Sequence, residues 1–173
     1  YGTIKIGTDG SYSYVVDDAN STVQALDETQ TLDDSFTVVV TDGAGGSVEQ
    51  SLAITINGTN DAPSSSGAVT NSNAREAGVD GSGAVAAVTA TGVADALFAN
   101  LSDVDDVVAA FLVAQAKETT VGTLASVTGA DAANGTSVTG LYGTIKIGTD
   151  GSYSYVVDDA NSTVQALDET QTL

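Results

Sequence analysis

The stretch YGTIKIGTDGSYSYVVDDANSTVQALDETQTL fills residues 1–32 and returns, letter for letter, at residues 142–173. Within it, GTIKI and SYSYVV alternate apolar and polar side chains and flank Asp9-Gly10, a dipeptide that favours a tight β-hairpin turn. A period of two predicts strands with one face on a core and one face towards solvent. The stretch therefore predicts an all-β fold in which the same hairpin occurs twice.

The two copies begin at Tyr1 and Tyr142, so the period of the repeat is 141 residues. That length fits a whole domain, because the units of solenoid proteins are only about 20–50 residues long. The identity of the two copies indicates a recent tandem duplication. We therefore expect the chain to be a window on an array of domains, cut out of phase with the repeat.

The segment NGTNDAPSSSG, residues 57–67, contains the only proline of the chain and a run of small polar residues. Proline fixes φ and ends a strand, and a run of small polar residues is typical of a linker. The proline and the small polar residues predict that residues 1–63 are the C-terminal part of one repeat, with its linker at residues 57–63. Residues 64–173 would be the N-terminal part of the next repeat, without its last two strands.

Alternation and turn residues predict further short strands. The expected strands are residues 1–6, 11–16, 35–41, 48–56, 84–90, 107–116 and 121–127, with one helical turn at residues 23–26. The Ala-rich stretch 107–117 also suits a helix, but the β-pattern on both sides favours a strand. Short strands, frequent Gly and Asp turns and no long amphipathic helix predict an Ig-like antiparallel β-sandwich.

The composition excludes several classes of function. The 173 residues include 23 acidic and 4 basic side chains, so the net charge is −19, and such a surface repels phosphate. Nucleic acid and anionic membranes are therefore poor partners, and no apolar run reaches the ~18 residues of a membrane span. Without His or Cys, the chain has no Ser-His-Asp or Cys-His catalysis and no ordinary zinc site. We expect a protein that is not an enzyme.

Carboxylates at turns are the groups that can carry chemistry here. Ca²⁺ takes about six to eight oxygen ligands and needs neither His nor Cys. In an extended Asp-x-Asp segment both carboxylates point to one side, so Asp103 and Asp105 can share an ion. The candidate calcium ligands are Asp42, Asn60, Asp61, Glu76, Asp103, Asp105 and Asp106. The alternative for each of them is a solvated turn residue, and for Asp9 and Asp150 the Asp-Gly hairpin turn is a sufficient explanation.

Several motifs together resemble a known family. The segments YGTIKIGTDGSYSYVVDD with VQAL, TDGAGG and GTNDAP resemble the VCBS repeat of giant RTX-type bacterial surface adhesins. The resemblance is close over residues 1–63 and 142–173 and looser over 64–141. The segment TDGAGGSVEQSLAITINGTNDAP is also similar to the end of a cadherin repeat, where a turn, a last strand and a linker frame calcium sites. These resemblances imply a cadherin-like sandwich in a secreted protein at the bacterial cell surface.

The cadherin resemblance also implies a role for each candidate ligand. Asn60 and Asp61 correspond to linker ligands, and Glu76 corresponds to the glutamate at the base of the next domain. Asp103 and Asp105 correspond to the Asp-x-Asp pair. Asp42 corresponds to the turn aspartate at the top of its own domain.

We therefore expect a calcium-stiffened extender repeat of a long adhesin or filament, whose partners are the neighbouring repeats. The alternative is a calcium-dependent module that binds a glycan or another ligand through Asp105, Asp106 and exposed tyrosines. Near-identical tandem copies favour the spacer, because ligand binding usually needs only one specialised domain. The phase of the cut also leads us to expect strand exchange between identical chains, with residues 33–63 of one molecule completing residues 64–173 of another.

Overall fold

The structure, a computed structural model, describes residues 1–69, 72–80, 82–107, 110–120, 122–168 and 170–173. Strands dominate these residues and the helices are single turns, so the predicted all-β class is confirmed. The chain divides into two compact units, Tyr1–Ser64 with Ser102–Val107 and Ser65–Leu101 with Val108–Leu173. Residues 102–107, which the sequence pattern assigned to the second repeat, therefore group with the first unit.

The first unit contains two hairpins and one helical turn. Its elements are β1 (Gly2–Ile6), β2 (Tyr12–Val16), α1 (Ser21–Gln24), β3 (Thr31–Thr41) and β4 (Ser47–Asn57). β1 pairs with β2 and β3 pairs with β4, both antiparallel. The four strands predicted for this part of the sequence are confirmed, although β3 begins earlier, at Thr31. The predicted helical turn is present but begins at Ser21, where the Asn20 side chain accepts a hydrogen bond from Thr22 N–H and caps it.

One face of each hairpin forms the core of the first unit. Tyr14 of β2 packs edge-on against Phe36 of β3, with ring centroids 6.0 Å apart and planes at 61°. Leu26 and Ile56 are only 9% and 4% exposed. Burial of this apolar face holds the hairpins, since an isolated two-stranded hairpin is marginally stable in water.

The second unit is built around a four-stranded antiparallel sheet in the order β12-β13-β14-β8. Its sheet strands are β8 (Ala90–Gly92), β12 (Thr136–Thr139), β13 (Gly143–Ile147) and β14 (Tyr153–Val157). The shorter elements are β6 (Gly78–Asp80), β7 (Gly83–Val85), a 3₁₀ turn (Ala96–Phe98), β10 (Gln115–Ala116), β11 (Ala125–Ser126) and α2 (Ser162–Gln165). The two-residue strands β5 (Ser64–Ser65) and β9 (Leu101–Ser102) each span a boundary in the sequence between the two units. Among these, β5 pairs with β9, β6 with β7 and β10 with β11.

The prediction of a strand over residues 107–116 is wrong for most of that range. Only Gln115–Ala116 is a strand, whereas Phe111 packs edge-on against Phe98, with ring centroids 6.0 Å apart. Phe111 thus packs against another aromatic ring, whereas Val107 and Leu112 remain 70% and 69% exposed. Positions 108 and 109, like position 121 of the strand predicted at 121–127, lie outside the described residues. Of that second stretch only Ala125–Ser126 is a strand.

Two further differences concern the sheet of the second unit. The strand expected near residues 84–90 is two short strands, β7 and β8, with a break between them. The sequence pattern missed β12, because its sequence TSVT contains a single apolar residue and shows no clear alternation.

The duplicated sequence folds locally in the same way in both units. Gly2 pairs with Val16 and Gly143 pairs with Val157, so the two hairpins have the same register. In each turn one aspartate oxygen accepts from a serine N–H two residues later, at 3.0 Å for Asp9 and 2.9 Å for Asp150. The interpretation of both aspartates as turn residues is confirmed.

Candidate metal centre

The linker that follows β4 lies beside the returning segment Ser102–Val107. The N–H of Asp61 donates to Oδ2 of Asp105 at 3.0 Å, although 44 positions separate the two residues in the sequence. The N–H of Asp105 in turn lies 3.4 Å from Oδ1 of Asp103. The structure thus brings the backbone of Asp61 to the side chain of Asp105, which follows Asp103 two positions later, within the first unit.

The carboxyl groups of Asp103 and Asp105 affect each other's pKa. The hydrogen bond to Asp105 raises the pKa of Asp103. The same hydrogen bond, and then the N–H of Asp61, lowers the pKa of Asp105. Two ionised carboxylates are both acceptors and repel each other, so they can lie this close only with a proton or another cation between them.

One oxygen of this pair has no partner. Oδ1 of Asp105 is buried, and no hydrogen bond within the described residues reaches it. A buried carboxylate oxygen without a donor destabilises the structure, and such an atom calls for an explanation such as an ion. Its chemistry fits a hard cation, which prefers carboxylate oxygen ligands.

Asn60 and Asp106 are the immediate sequence neighbours of this cluster. The Asn60 side-chain amide donates to the carbonyl of Asp61 at 2.5 Å, and this contact holds the amide against the linker backbone. The Asp106 side chain is exposed.

Asp42 is not part of the cluster. One of its oxygens accepts from the N–H groups of Ala44 and Gly46 at 2.8 and 2.9 Å, and these bonds lower its pKa. It therefore orders the turn between β3 and β4. Asn57 lies at the other end of this hairpin, about 30 Å away at ~3.3 Å per strand residue.

Glu76 belongs to the second unit. There its Oε2 accepts a hydrogen bond from the side-chain amide of Gln165 at 2.5 Å. This contact ties Glu76 to the helical turn α2.

The sequence pattern missed Asp18, which lies near the cluster. Asp18 and Asp61 line one cavity of about 270 Å³, together with Asn57 and Thr59. The sequence feature that could have identified Asp18 is the acidic pair Asp17-Asp18 directly after β2. Asp17 stabilises the turn, since its Oδ1 accepts a hydrogen bond from Ala19 N–H at 3.1 Å. Asp18 instead offers a carboxylate oxygen as a possible metal ligand beside the linker.

Within the described ranges no three acidic side chains converge to hold a metal. Asp103 and Asp105 would therefore supply two carboxylates, and amide, backbone or water oxygens would have to supply the rest. In the same part of the chain no helix is both long enough and apolar enough to cross a membrane. Comparisons of the chain with protein-family models, curated proteins and solved structures gave no match.

Proposed function

We propose that the chain is a calcium-stabilised, non-enzymatic structural repeat of a long secreted surface adhesin. The observation that carries this proposal is the buried, unpartnered Oδ1 of Asp105 beside the carboxyl group of Asp103. Without a cation this arrangement needs a shared proton, which is scarce at neutral pH. A calcium ion would supply the positive charge that both carboxylates lack.

The proposed ligands are Asp103 and Asp105, with Asn60 and a backbone oxygen of the linker as further donors. The Asp61 N–H fixes the second oxygen of Asp105, so that Oδ1 remains for the ion. This contact joins the linker after β4 to residues 102–107. A calcium ion bound here would therefore stiffen the chain at the predicted linker.

The wider setting supports a structural role. Two identical 32-residue copies at a spacing of 141 residues suggest domains of one kind in tandem, and such an array suits a spacer, because ligand binding usually needs only one specialised domain. The net charge of −19 makes the acidic groups of such an array repel one another. Cations bound at its junctions would reduce this repulsion and stabilise the folded domains. An extracellular, cell-surface location follows from the proposed adhesin role.

Asp105→Asn tests the proposal at its central atom. The new amide donates to Asp103 and removes one negative charge, so the variant should be as stable as wild type, or more stable, in EDTA. It should also lose most of its calcium affinity, because one carboxylate ligand is gone. Isothermal titration with Ca²⁺ and thermal melting in EDTA measure the two effects.

The matched control is Asp9→Asn, which changes charge equally at a turn aspartate away from the cluster. It should bind calcium as wild type does. Equal calcium affinity in the Asp105→Asn variant and wild type would show that Asp105 is not a calcium ligand. A large loss of stability in EDTA would instead identify Asp105 as a structural residue only.

A further inference from the structure

The tripeptide Asn-Gly-Thr occurs twice in the chain, at residues 57–59 and 134–136. Asparagine is a thermolabile residue, and it is most reactive before glycine, whose backbone nitrogen can swing onto the asparagine side chain without hindrance from a Cβ. Because the three residues are identical, a difference in reactivity between the two sites must come from the structure around them.

The first site is tied into a hairpin. Asn57 is the last residue of β4 and pairs with Thr31 of β3. The N–H of Gly58, which carries the nitrogen that would attack, donates to the carbonyl of Gln30 at 3.0 Å. Reaction at this site would have to break that hydrogen bond and open the end of the hairpin.

The second site lies in the turn that precedes β12. The N–H of Gly135 donates no hydrogen bond to any described residue, and the Asn134 side chain is exposed. The glycines of the two Asp-Gly hairpin turns differ, since their N–H groups are bonded to backbone carbonyls. The nitrogen of Gly135 is therefore free to react, and water can reach the amide of Asn134.

The close packing of this turn explains why it contains glycine. The N–H of Ala132 donates to Oγ of Ser152 at 2.7 Å, which holds the turn against the second hairpin. A Cβ on Gly135 would overlap the carbonyl oxygen of Ile147 at the end of β13. The position therefore favours glycine for packing, although glycine here makes the preceding asparagine reactive.

We propose that Asn134 is a site of spontaneous deamidation, whereas Asn57 is protected. The backbone nitrogen of Gly135 loses its proton to solvent base and forms a bond to Cγ of Asn134, the Cγ–Nδ2 bond breaks, and ammonia leaves. The resulting succinimide ring adds water at either carbonyl and opens to aspartate or isoaspartate. Water is the only co-reactant, and the proposal does not depend on the calcium site.

The reaction removes a contact that orders the turn. The backbone N–H and the side-chain amide of Asn134 both donate to Oδ1 of Asp131, at 2.9 and 3.0 Å. A carboxylate at position 134 accepts hydrogen bonds only, so it would repel Asp131 instead of donating to it. Isoaspartate also lengthens the main chain by one carbon directly before β12. Deamidation should therefore weaken the attachment of β12 to β13.

Peptide mapping of the natural chain measures both sites in one sample. Arg75 and Lys117 lie between the sites, so trypsin places them on different peptides for mass spectrometry. After ageing of the folded chain in mildly alkaline buffer with calcium, we expect several-fold more deamidation at Asn134 than at Asn57. Ageing in urea is the control, because the unfolded tripeptides are identical and should react at similar rates.

The comparison has two outcomes that would overturn the proposal. One is equal deamidation of the two sites in the folded chain, or faster deamidation of Asn57. The other is a preference for Asn134 that is as large in urea as in the folded chain, because such a preference would not come from the structure.

Two variants test the effect of the product on the turn. Asn134→Asp, which has the charge of the product, should unfold at a lower urea concentration than wild type. In the double variant Asp131→Asn with Asn134→Asp the two groups are exchanged, and the new amide can donate to the new carboxylate. Most of the lost stability should therefore return. No loss in Asn134→Asp, or an equal loss in both variants, would contradict the predicted weakening of the turn.

Discussion

At the scale of single residues, the contact between Tyr14 and Asp34 links the two hairpins of the first unit. The hydrogen bond from Tyr14 lowers the pKa of Asp34. Burial, and then this hydrogen bond, raises the pKa of Tyr14 to about 12. Both shifts mean that the contact stabilises the fold only while Asp34 is ionised and Tyr14 is protonated.

The stability provided by this contact should therefore depend on pH at both ends. It is present above the ordinary carboxyl pKa of about 4 and is lost as the pH falls towards the lowered pKa of Asp34. At the other end it is present below about pH 10 and is lost as the pH rises through about 12. Tyr14→Phe should thus be less stable than wild type at pH 7, and the two should converge in acid.

Urea unfolding from pH 2 to pH 7 measures this convergence, and carboxyl NMR follows the pKa of Asp34 itself. That pKa should rise in Tyr14→Phe and stay unchanged in Tyr155→Phe. Tyr155 occupies the place of Tyr14 in the second copy of the duplicated sequence. It is a suitable control, since no hydrogen bond within the described residues reaches its hydroxyl. An unchanged pKa of Asp34 in Tyr14→Phe would refute the link.

The sequence predicted only part of the site formed by Asp61, Asp103 and Asp105. The spacing of Asp103 and Asp105 predicted that they could share an ion, because alternation along an extended segment is a local property. The contact from Asp61 to Asp105 spans 44 positions, and it was expected only from the predicted sandwich and the family resemblance, which place the linker and the Asp-x-Asp segment near one end. The burial of one oxygen depends on packing that no local pattern encodes.

At the scale of elements, turn chemistry predicted the hairpins because the Asp-Gly dipeptide determines the turn wherever it occurs. Gly10 and Gly151 adopt φ of 84° and 76°, a region that other residues rarely occupy. Apolar runs without turn signals were misread, as over residues 107–116. There Phe111 packs on Phe98, whereas Val107 and Leu112 are 70% and 69% exposed, and a run of this kind does not reveal its partners.

The two glycines make a matched pair of substitutions. Gly10→Ala should destabilise by about 1–2 kcal/mol, the cost of a left-handed conformation for a residue with a Cβ. Gly151→Ala should cost about 1–3 kcal/mol more, because its Cβ would lie 3.1 Å from the Phe98 ring and overpack the core. Nothing lies within 4 Å of the corresponding Cβ on Gly10.

Urea denaturation followed by circular dichroism compares the two variants with wild type. The sequence around each glycine is identical, so local propensity cancels from the comparison. Equal losses of stability would mean that Phe98 does not pack against the second turn.

At the scale of the whole molecule, the net charge of −19 opposes any compact state. Only four basic side chains are present, so few acidic groups can form ion pairs. Cations must therefore provide most of the neutralisation, either as a diffuse atmosphere or at bound positions. These two contributions respond differently to salt.

Sodium chloride should raise the Tm measured in EDTA. Between about 0.01 M and about 1 M salt the screening length falls from ~30 Å to ~3 Å, which weakens the repulsion between acidic groups. Potassium chloride should have the same effect, because screening does not depend on the identity of the cation. A Tm that falls or stays constant with both salts would show that self-repulsion is not limiting.

We propose that the first unit holds a calcium ion at Asp103 and Asp105. Differential scanning calorimetry of the wild-type chain in EDTA, in Mg²⁺ and in Ca²⁺, at matched ionic strength, tests it most directly. We predict that calcium at about a hundredfold excess over its Kd raises the Tm by about 5–10 °C, and that magnesium has a much smaller effect. The same Tm in all three solutions would show that no calcium ion stabilises the fold.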